Sequence, residues 1–372
     1  MVIQRIKAIK RMSFVGQMTF FSEGYDSFMW NFLKRKGGEI SIKQERRRIP
    51  IIILQLEALL RRLPAHHFAR IRIKEELAKC YAGFRGEQAV DYQLTFVEGQ
   101  YELHHDVRLP FKEKSCFQMD FLLLTPYFIL IIEVKNIVGT LVFDRTFHQL
   151  IRTINEKEES FPDPILQVKK QTHQLQKWLQ KNKLPEIPIE YLVCISNPST
   201  YIKSANRHSD ICQKVTHAAN LPFIIADIQE KFSQELLSKA DYRKINRLLV
   251  KQQMDANYDV LKRFQIDRST ILSGILCPSC NRLPLQKQRE RWYCTNCATS
   301  SKSAHIQALI DFRLLIGSTI TNKQLREFLH IPSTSVASKI LSSLKTSSDG
   351  TFKNRVYHLS IEELQRLMRS GK

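Results

Sequence analysis

The chain has 372 residues, 43% of them hydrophobic, and it contains no run of about eighteen apolar residues such as a membrane-spanning helix needs. Its 57 Lys and Arg residues exceed 36 Asp and Glu residues, which gives a net charge of +21. The absence of such a run excludes a transmembrane helix, and the length and charge favour two or three globular domains with a polyanionic partner, nucleic acid before lipid headgroups. Polar residues interrupt the apolar parts of 12–21, so no secretory signal is predicted and we expect a cytoplasmic protein.

The first fifty residues carry little periodicity and end in the basic run Arg46-Arg47-Arg48 before Pro50. They predict a poorly ordered basic extension over 1–50, although a start codon assigned too far upstream explains them equally well. Helical spacing of apolar residues begins at Ile51 and continues to Leu63, and a second helical stretch covers about 71–92. We expect both helices to pack on a sheet.

Strand-like runs follow in the order that a layered α/β domain requires. Phe117–Leu124, Phe128–Val134 and Gly139–Phe143 predict a β-meander. A helix over about 165–181, strands at 189–196 and 223–226, and a basic helix over about 229–251 complete the pattern. The fold class expected over 51–260 is therefore α/β, with a mixed sheet flanked by helices.

Three charged residues lie on the two central predicted strands. Glu133 and Lys135 share one face of an otherwise apolar strand, and a two-residue turn at Pro126-Tyr127 would place Asp120 opposite Glu133, about 5 Å away. Two carboxylates so close favour a bound Mg²⁺ or Mn²⁺ ion, and Lys135 beside that ion suits phosphodiester hydrolysis. On spacing alone, an ion pair between Glu133 and Lys135 at the end of the strand is an equal alternative.

Four stretches between about 82 and 180 carry a family resemblance: Gly83-Phe84-Arg85-Gly86-Glu87, Gln118-Met119-Asp120-Phe121, Ile132-Glu133-Val134-Lys135-Asn136 and Asp163-Pro164-Ile165-Leu166-Gln167. Together they resemble the nuclease-related domain, NERD, whose core resembles the PD-(D/E)xK nucleases. The resemblance implies a restriction-endonuclease-like core and an acidic residue on the first core helix at Glu87. It also implies a metal-binding pair at Asp120 and Glu133, a catalytic Lys135 and a polar helix residue at Gln167. Met119 stands where the superfamily name has proline.

Two CxxC pairs, Cys277 with Cys280 and Cys294 with Cys297, are separated by thirteen residues. This spacing predicts one tetrahedral, structural Zn²⁺ ion in a ribbon over 270–302. Arg291 and Trp292 lie between the pairs, and they suit contact with phosphates and unstacked bases. A ribbon that only packs between domains is equally compatible with the sequence.

Residues 303–372 predict a small helical module. A helix over about 306–316 precedes a capping box at Thr321-Asn322-Lys323-Gln324 and a second helix capped near Ser333 or Thr334. A hairpin signal at Ser348-Asp349-Gly350-Thr351 follows, and the whole resembles a winged helix-turn-helix. Lys339 on the second helix and Lys353 and Arg355 on the wing are the candidate nucleic-acid contacts. Trihelical packing without DNA contact is the alternative.

These features favour a metal-dependent nuclease that acts on nucleic acid, with DNA preferred over RNA as the substrate. The alternative is a binding or adaptor protein that retains a nuclease-like fold without catalysis. Nothing in the sequence marks a site that senses the 2′-hydroxyl of RNA.

Overall fold

The structure is a computed structural model, and it describes residues 47–113, 115–203, 210–256, 258–351 and 354–370. All but the last four residues of the predicted basic extension therefore lie outside the described residues, as does Lys353. The helices are α1 (Ile51–Arg62), α2 (Arg70–Leu94), α3 (Pro164–Lys181), α4 (Asp210–Lys214), α5 (Leu221–Lys231), α6 (Lys239–Lys251), α7 (Val260–Arg263), α8 (Ala304–Leu315), α9 (Asn322–Leu329), α10 (Thr334–Ser343) and α11 (Ile361–Ser370). The strands are β1 (Glu102–Lys112), β2 (Ser115–Leu124), β3 (Ile129–Lys135), β4 (Thr140–Asp144), β5 (Gln149–Ile154), β6 (Lys157–Pro162), β7 (Ile189–Ile195), β8 (Tyr201–Lys203), β9 (Val215–His217), β10 (Gln286–Gln288), β11 (Arg291–Tyr293), β12 (Ser300–Ser301), β13 (Thr319–Thr321), β14 (Ser348–Asp349) and β15 (Val356–His358).

A mixed five-stranded sheet forms the centre of the α/β part, with the order β1-β2-β3-β7-β9. Strands β1, β2 and β3 are antiparallel to one another, whereas β3, β7 and β9 run parallel. Helices α3 and α6 cover one face, and α2 and α5 cover the other. Because both faces are covered, the strand run 128–132 is apolar at every position and fully buried.

The edge strand β1 has no counterpart among the predicted strands. Its sequence, ELHHDVRLPFK, lacks a continuous apolar run and contains Pro110, which an edge strand tolerates. The predicted β-meander is also wrong at its third strand. Strand β4 leaves the central sheet and joins a separate four-stranded sheet with the order β6-β5-β4-β8.

The predicted strand at Phe223–Ala226 is wrong, because these residues lie inside helix α5. A short apolar run suits a buried strand and a buried helix equally, and Pro222 at the start of α5 supports the helix. The basic helix expected over 229–251 is interrupted between α5 and α6. The second of these helices begins at a new cap, where the Ser238 side chain accepts from the Asp241 amide.

Helix α1 packs against α2 and α8, not on the sheet as expected. Its apolar side belongs to a second core that also contains Cys277, Trp292 and the helices of the C-terminal module. Arg62 pairs with Asp311 of α8 at 2.8 Å, and both side chains are fully buried. Other helices can therefore cover an amphipathic helix as completely as a sheet can.

The C-terminal module contains α8, β13, α9, α10, β14, β15 and α11, with a small sheet of order β13-β15-β14. The predicted capping box is confirmed: Thr321 Oγ1 accepts from the Gln324 amide, and Gln324 Oε1 accepts from the Thr321 amide. Ser333 caps α10, one of the two residues predicted. Within the described ranges, no helix has the length and apolar character needed to cross a membrane.

Candidate active site

The hairpin of β2 and β3 brings the two acidic residues level with each other. Phe121 lies opposite Ile132 and Leu124 lies opposite Ile129, which confirms the predicted register and makes Asp120 and Glu133 the next pair along. The loop is closed by the Thr125 amide, which donates to the Phe128 carbonyl. At the open end, Asp120 Oδ2 accepts from the Val134 amide at 2.9 Å.

Glu133 is only 2% exposed, and both of its carboxylate oxygens accept hydrogen bonds. Oε1 accepts from Lys135 Nζ and Gln167 Nε2, each at 2.7 Å, and Oε2 accepts from Gln171 Nε2 at 2.8 Å. Lys135 Nζ also donates to Gln167 Oε1 at 3.0 Å. The sequence interpretation missed Gln171, although its position four residues after Gln167 puts it on the same face of α3.

Asp120 is buried beside a second carboxylate, Glu133. Burial and the neighbouring charge of Glu133 raise its pKa well above the ordinary range, despite the Val134 amide and the Lys135 ammonium. A divalent cation would remove this penalty, and carboxylate oxygens are the donors that Mg²⁺ and Mn²⁺ prefer. The residues present therefore fit such an ion.

Glu87 projects from α2 toward the same pair of carboxylates. Burial raises its pKa to about 7, against the opposing charge of Arg47, and the charges of Asp106, Asp91 and Glu133 act in the same direction as burial. Its Oε2 accepts from Arg47 Nη1 at 2.7 Å. A carboxylate with a pKa near 7 is suited to exchange protons at neutral pH.

Gly86 explains how α2 comes close enough to place Glu87. A Cβ atom at this position would lie 2.6 Å from Ser196 Oγ and 2.7 Å from Asn136 Cβ. Asn136 Nδ2 donates to the Ala82 carbonyl at 2.6 Å. The close approach therefore joins α2 to the residues that follow β3 and β7, and Glu87 lies one position after the contact.

Arg47 is a part of the site that the sequence interpretation assigned to the basic extension. Its side chain is 3% exposed, and its guanidinium lies 4.4 Å from the centre of the Phe121 ring. Nη1 donates to Glu87 and, at 3.2 Å, to Asp106, while Nε donates to Asp91 at 2.7 Å. These acids are 40 to 59 residues away along the chain, so no local pattern could identify the contacts.

The two CxxC pairs converge in the ribbon formed by β10, β11 and β12. All four sulfur atoms lie within 4.8 Å of one another, with separations of 3.5 Å for Cys277–Cys297 and 3.6 Å for Cys280–Cys294. Asn281 and Ala298, which follow the two pairs, both have a left-handed backbone that turns each knuckle back. Four thiolates around zinc at about 2.3 Å require sulfur separations of about 3.8 Å, so the cluster is compatible with zinc.

Of the two candidate contacts in the ribbon, one is exposed and the other is not. Trp292 is 1% exposed, and its Nε1 donates to His305 Nδ1 at 3.0 Å. Its ring is therefore not available to stack on a base, and its burial removes it from the candidate contacts. Arg291 is exposed and donates through Nε to Ser300 Oγ on β12.

The structure brings together Glu87, Asp120, Glu133, Lys135 and Gln167, which the resemblance assigns to one site. The remaining candidates belong to the C-terminal module. Lys339 is exposed on α10, and Arg355 is exposed just before β15.

Comparison with known proteins adds a family for the central part of the chain. Residues 82–196 match the family model of the nuclease-related domain. No curated protein and no solved structure matches the chain. The matched range begins in α2 and ends just after β7, so it contains all five residues that the structure brings together.

Proposed function

The chain carries a nuclease-related domain, and from this premise we propose that it is a metal-dependent nuclease that hydrolyses phosphodiester bonds, with DNA as the preferred substrate. The observation that carries the proposal is the pair of Asp120 and Glu133 beside Lys135. Burial beside Glu133 raises the pKa of Asp120, an arrangement that costs stability and that a cation would relieve.

Asp120 and Glu133 would hold Mg²⁺ or Mn²⁺, and such an ion supplies Lewis-acid polarisation of a phosphoryl oxygen and a bound water of lowered pKa. Gln167 and Gln171 hold the Glu133 carboxylate in a fixed orientation. Lys135 is partly exposed and its Nζ is held by Glu133 and Gln167, so the ammonium can stabilise negative charge that develops on a phosphate.

Glu87 supplies the acid–base group of this proposal. Its pKa of about 7 leaves a substantial ionised fraction at neutral pH, and the ionised form can accept a proton from an attacking water. Glu87 lies on helix α2, whereas the proposed metal ligands Asp120 and Glu133 lie on β2 and β3, so this proposal assigns proton transfer and not metal binding to Glu87.

We also propose that the cysteine cluster holds a structural Zn²⁺ ion and that the C-terminal module binds DNA as a winged helix-turn-helix. The exposed side of α10 carries Ser335, Ser338, Lys339 and Ser342, and its other side is buried by Ala337, Ile340 and Leu341. This arrangement suits insertion of α10 into a major groove, with Arg355 near the phosphates. Arg291 of the ribbon is a further candidate phosphate contact.

The test is cleavage of single- and double-stranded DNA and RNA with Mg²⁺, Mn²⁺ or EDTA. We expect the parent chain to cleave DNA only with the metal, and Asp120→Asn and Lys135→Ala to lose activity by at least about a hundredfold. Lys74→Ala and Glu98→Gln, which change exposed charges away from the carboxylate pair, are the matched controls.

One observation favours a binding protein without catalysis. Both oxygens of Glu133 already accept hydrogen bonds from protein groups, as they would in a site that no longer binds metal. Tight DNA binding without cleavage in either metal, unchanged by Asp120→Asn, would support this second function and contradict the first.

A further inference from the structure

Arg47 lies in the candidate active site without any role in the proposed reaction. Its guanidinium is enclosed by three carboxylates from two elements: Glu87 and Asp91 on α2, and Asp106 on β1. The ring of Phe121, the residue after Asp120, closes another side at 4.4 Å. A buried arginine is costly unless its charge is paired, and the three carboxylates offset this cost through Nε and Nη1, whereas Nη2 has no hydrogen-bond partner among the described residues.

Two of the carboxylates that bind Arg47 also contact other residues, and Asp106 Oδ1 accepts from Gln118 Nε2 at 3.5 Å. Asp91 Oδ1 lies 2.8 Å from His105 Nε2, on the strand that also carries Asp106. Asp106 has a φ of +49°, which is uncommon for a residue other than glycine inside a strand. His105 lies opposite Phe121, and Val107 lies opposite Met119. Asp106 therefore lies level with Asp120 on the neighbouring strand.

Glu87 uses its two oxygens differently. Oε2 is bound to Arg47, whereas Oε1 accepts no hydrogen bond from any residue that the structure describes. The charge of Glu87 acts on both Asp120 and Glu133, so its carboxylate lies within electrostatic range of the proposed metal ligands. One oxygen is therefore anchored, and the other is free to accept from a water.

We infer that Arg47 is a positioning residue, which anchors Oε2 of Glu87 so that Oε1 faces the reacting centre between Asp120 and Glu133. This inference rests on the proposed nuclease function. A direct contact between Arg47 and a substrate phosphate does not fit, because the side chain is 3% exposed and is already bound to three carboxylates.

The adjacent residue provides a matched control. Arg48 has the same charge, but its side chain is 76% exposed, and it lies 3.3 Å from Glu362 at the surface. Arg47→Gln removes the anchor and leaves a neutral side chain that can donate only a weaker hydrogen bond. Arg47→Lys keeps the charge, but one ammonium cannot reproduce the fork that binds three carboxylates.

The experiment measures kcat and KM for DNA cleavage by the full chain in Mn²⁺. We expect Arg47→Gln to lower kcat by about 10- to 100-fold, the usual effect of removing an outer partner of a reacting group, and to change KM less than twofold. Arg47→Lys should recover part of the loss, and Arg48→Gln should match the parent. Should Arg47→Gln fail to fold, a reduced kcat in a folded Arg47→Lys variant supports the inference, and a parental kcat overturns it.

A double-mutant cycle with Glu87→Gln separates positioning from a general effect on the fold. If Arg47 acts through Glu87, Arg47→Gln should have little further effect on single-turnover cleavage once Glu87 is changed. Three outcomes would overturn the inference and leave the proposed function standing. They are an equal loss of activity in both backgrounds, a rise in KM with kcat unchanged, and parental kinetics in Arg47→Gln. Absence of cleavage by the parent chain would instead overturn the proposed function and this inference together.

Discussion

A carboxylate buried beside another carboxylate destabilises the folded chain unless a proton or a cation compensates the charge. Asp120 is in this situation beside Glu133, and burial raises the pKa of Glu87 although Glu87 is paired with Arg47. An acidic residue kept only for stability would be expected to have a lowered pKa, as Asp91 has: burial raises this pKa, but the close contact with His105 and the ion pair with Arg47 lower it by more. The raised pKa values therefore support the proposal that Asp120 and Glu87 serve function at a cost to stability.

We predict that Asp120→Asn raises the melting temperature of the metal-free chain by a few degrees. The substitution removes the repulsion with Glu133, and the new amide oxygen can still accept from the Val134 amide. Adding Mn²⁺ should then stabilise the parent but not the variant. Differential scanning calorimetry with and without Mn²⁺ provides the measurement. Asp227→Asn, an exposed change, is the control, and a variant less stable than the parent without metal would contradict the argument.

Glu87 predicts a pH dependence of stability. Its pKa is about 7 in the folded chain against 4.5 for an ordinary glutamate, so the folded state binds the extra proton between these values. The contribution of protonated Glu87 to the free energy of unfolding is therefore fully present below about pH 4.5, and it is lost as the pH rises through 7. Thermal melts should show Glu87→Gln equal to the parent at pH 4.5 and more stable at pH 8; a constant difference would show that Glu87 does not titrate in this range.

At the scale of the element, helix α2 is held against the ends of β3 and β7 through Gly86. We predict that Gly86→Ala destabilises the chain by about 1–3 kcal/mol, because the new methyl group would overlap Ser196 and Asn136. Gly83→Ala is the matched control on the same helix. It has no atom within 4 Å of the new Cβ, and it should be stabilising by about 0.5–1 kcal/mol.

Urea unfolding of the two glycine variants provides the free energies. Equal effects would show that α2 does not approach the strand ends as closely as described. Gly86→Ala should also lower cleavage more than its loss of stability explains, because displacement of α2 moves Glu87 away from the carboxylate pair.

A second element-scale contact joins α1 to α8. Asp311 accepts from Arg61 and Arg62, and Arg62 Nη1 also donates to the carbonyls of Leu272 and Gly274, which precede Cys277. We predict that Asp311→Ala destabilises this core by about 3–5 kcal/mol, because it leaves Arg62 buried without its counter-charge. Glu327→Ala removes an exposed pair with Lys323 and should cost no more than about 1 kcal/mol in the same urea measurement.

At the scale of the whole molecule, the charge of +21 predicts DNA binding that depends strongly on salt. Fluorescence anisotropy at several salt concentrations gives the slope of log affinity against log salt. The double variant Lys339→Ala with Arg355→Ala should reduce this slope by about 2, since each proposed phosphate contact contributes about 0.9. An unchanged slope, equal to that of the exposed control Lys74→Ala, would remove the C-terminal module from the DNA-binding surface.

The sequence by itself determined the features in which a residue depends on near neighbours in the chain. The register of β2 and β3 follows from one short hairpin, the cysteine cluster from two CxxC pairs, and the caps at Thr321 and Ser333 from spacings of three residues. In each case the interacting groups are close in sequence or repeat a fixed spacing.

Only the tertiary structure decided the features that depend on distant partners. Arg47 is an ordinary basic residue until α2 and β1 supply its carboxylates, and Trp292 is buried by a core that residues near position 60 help to form. Whether a charged or aromatic side chain is exposed to solvent depends on which residues pack over it. Those residues lie tens to hundreds of positions away in the chain, so no local pattern encodes the burial.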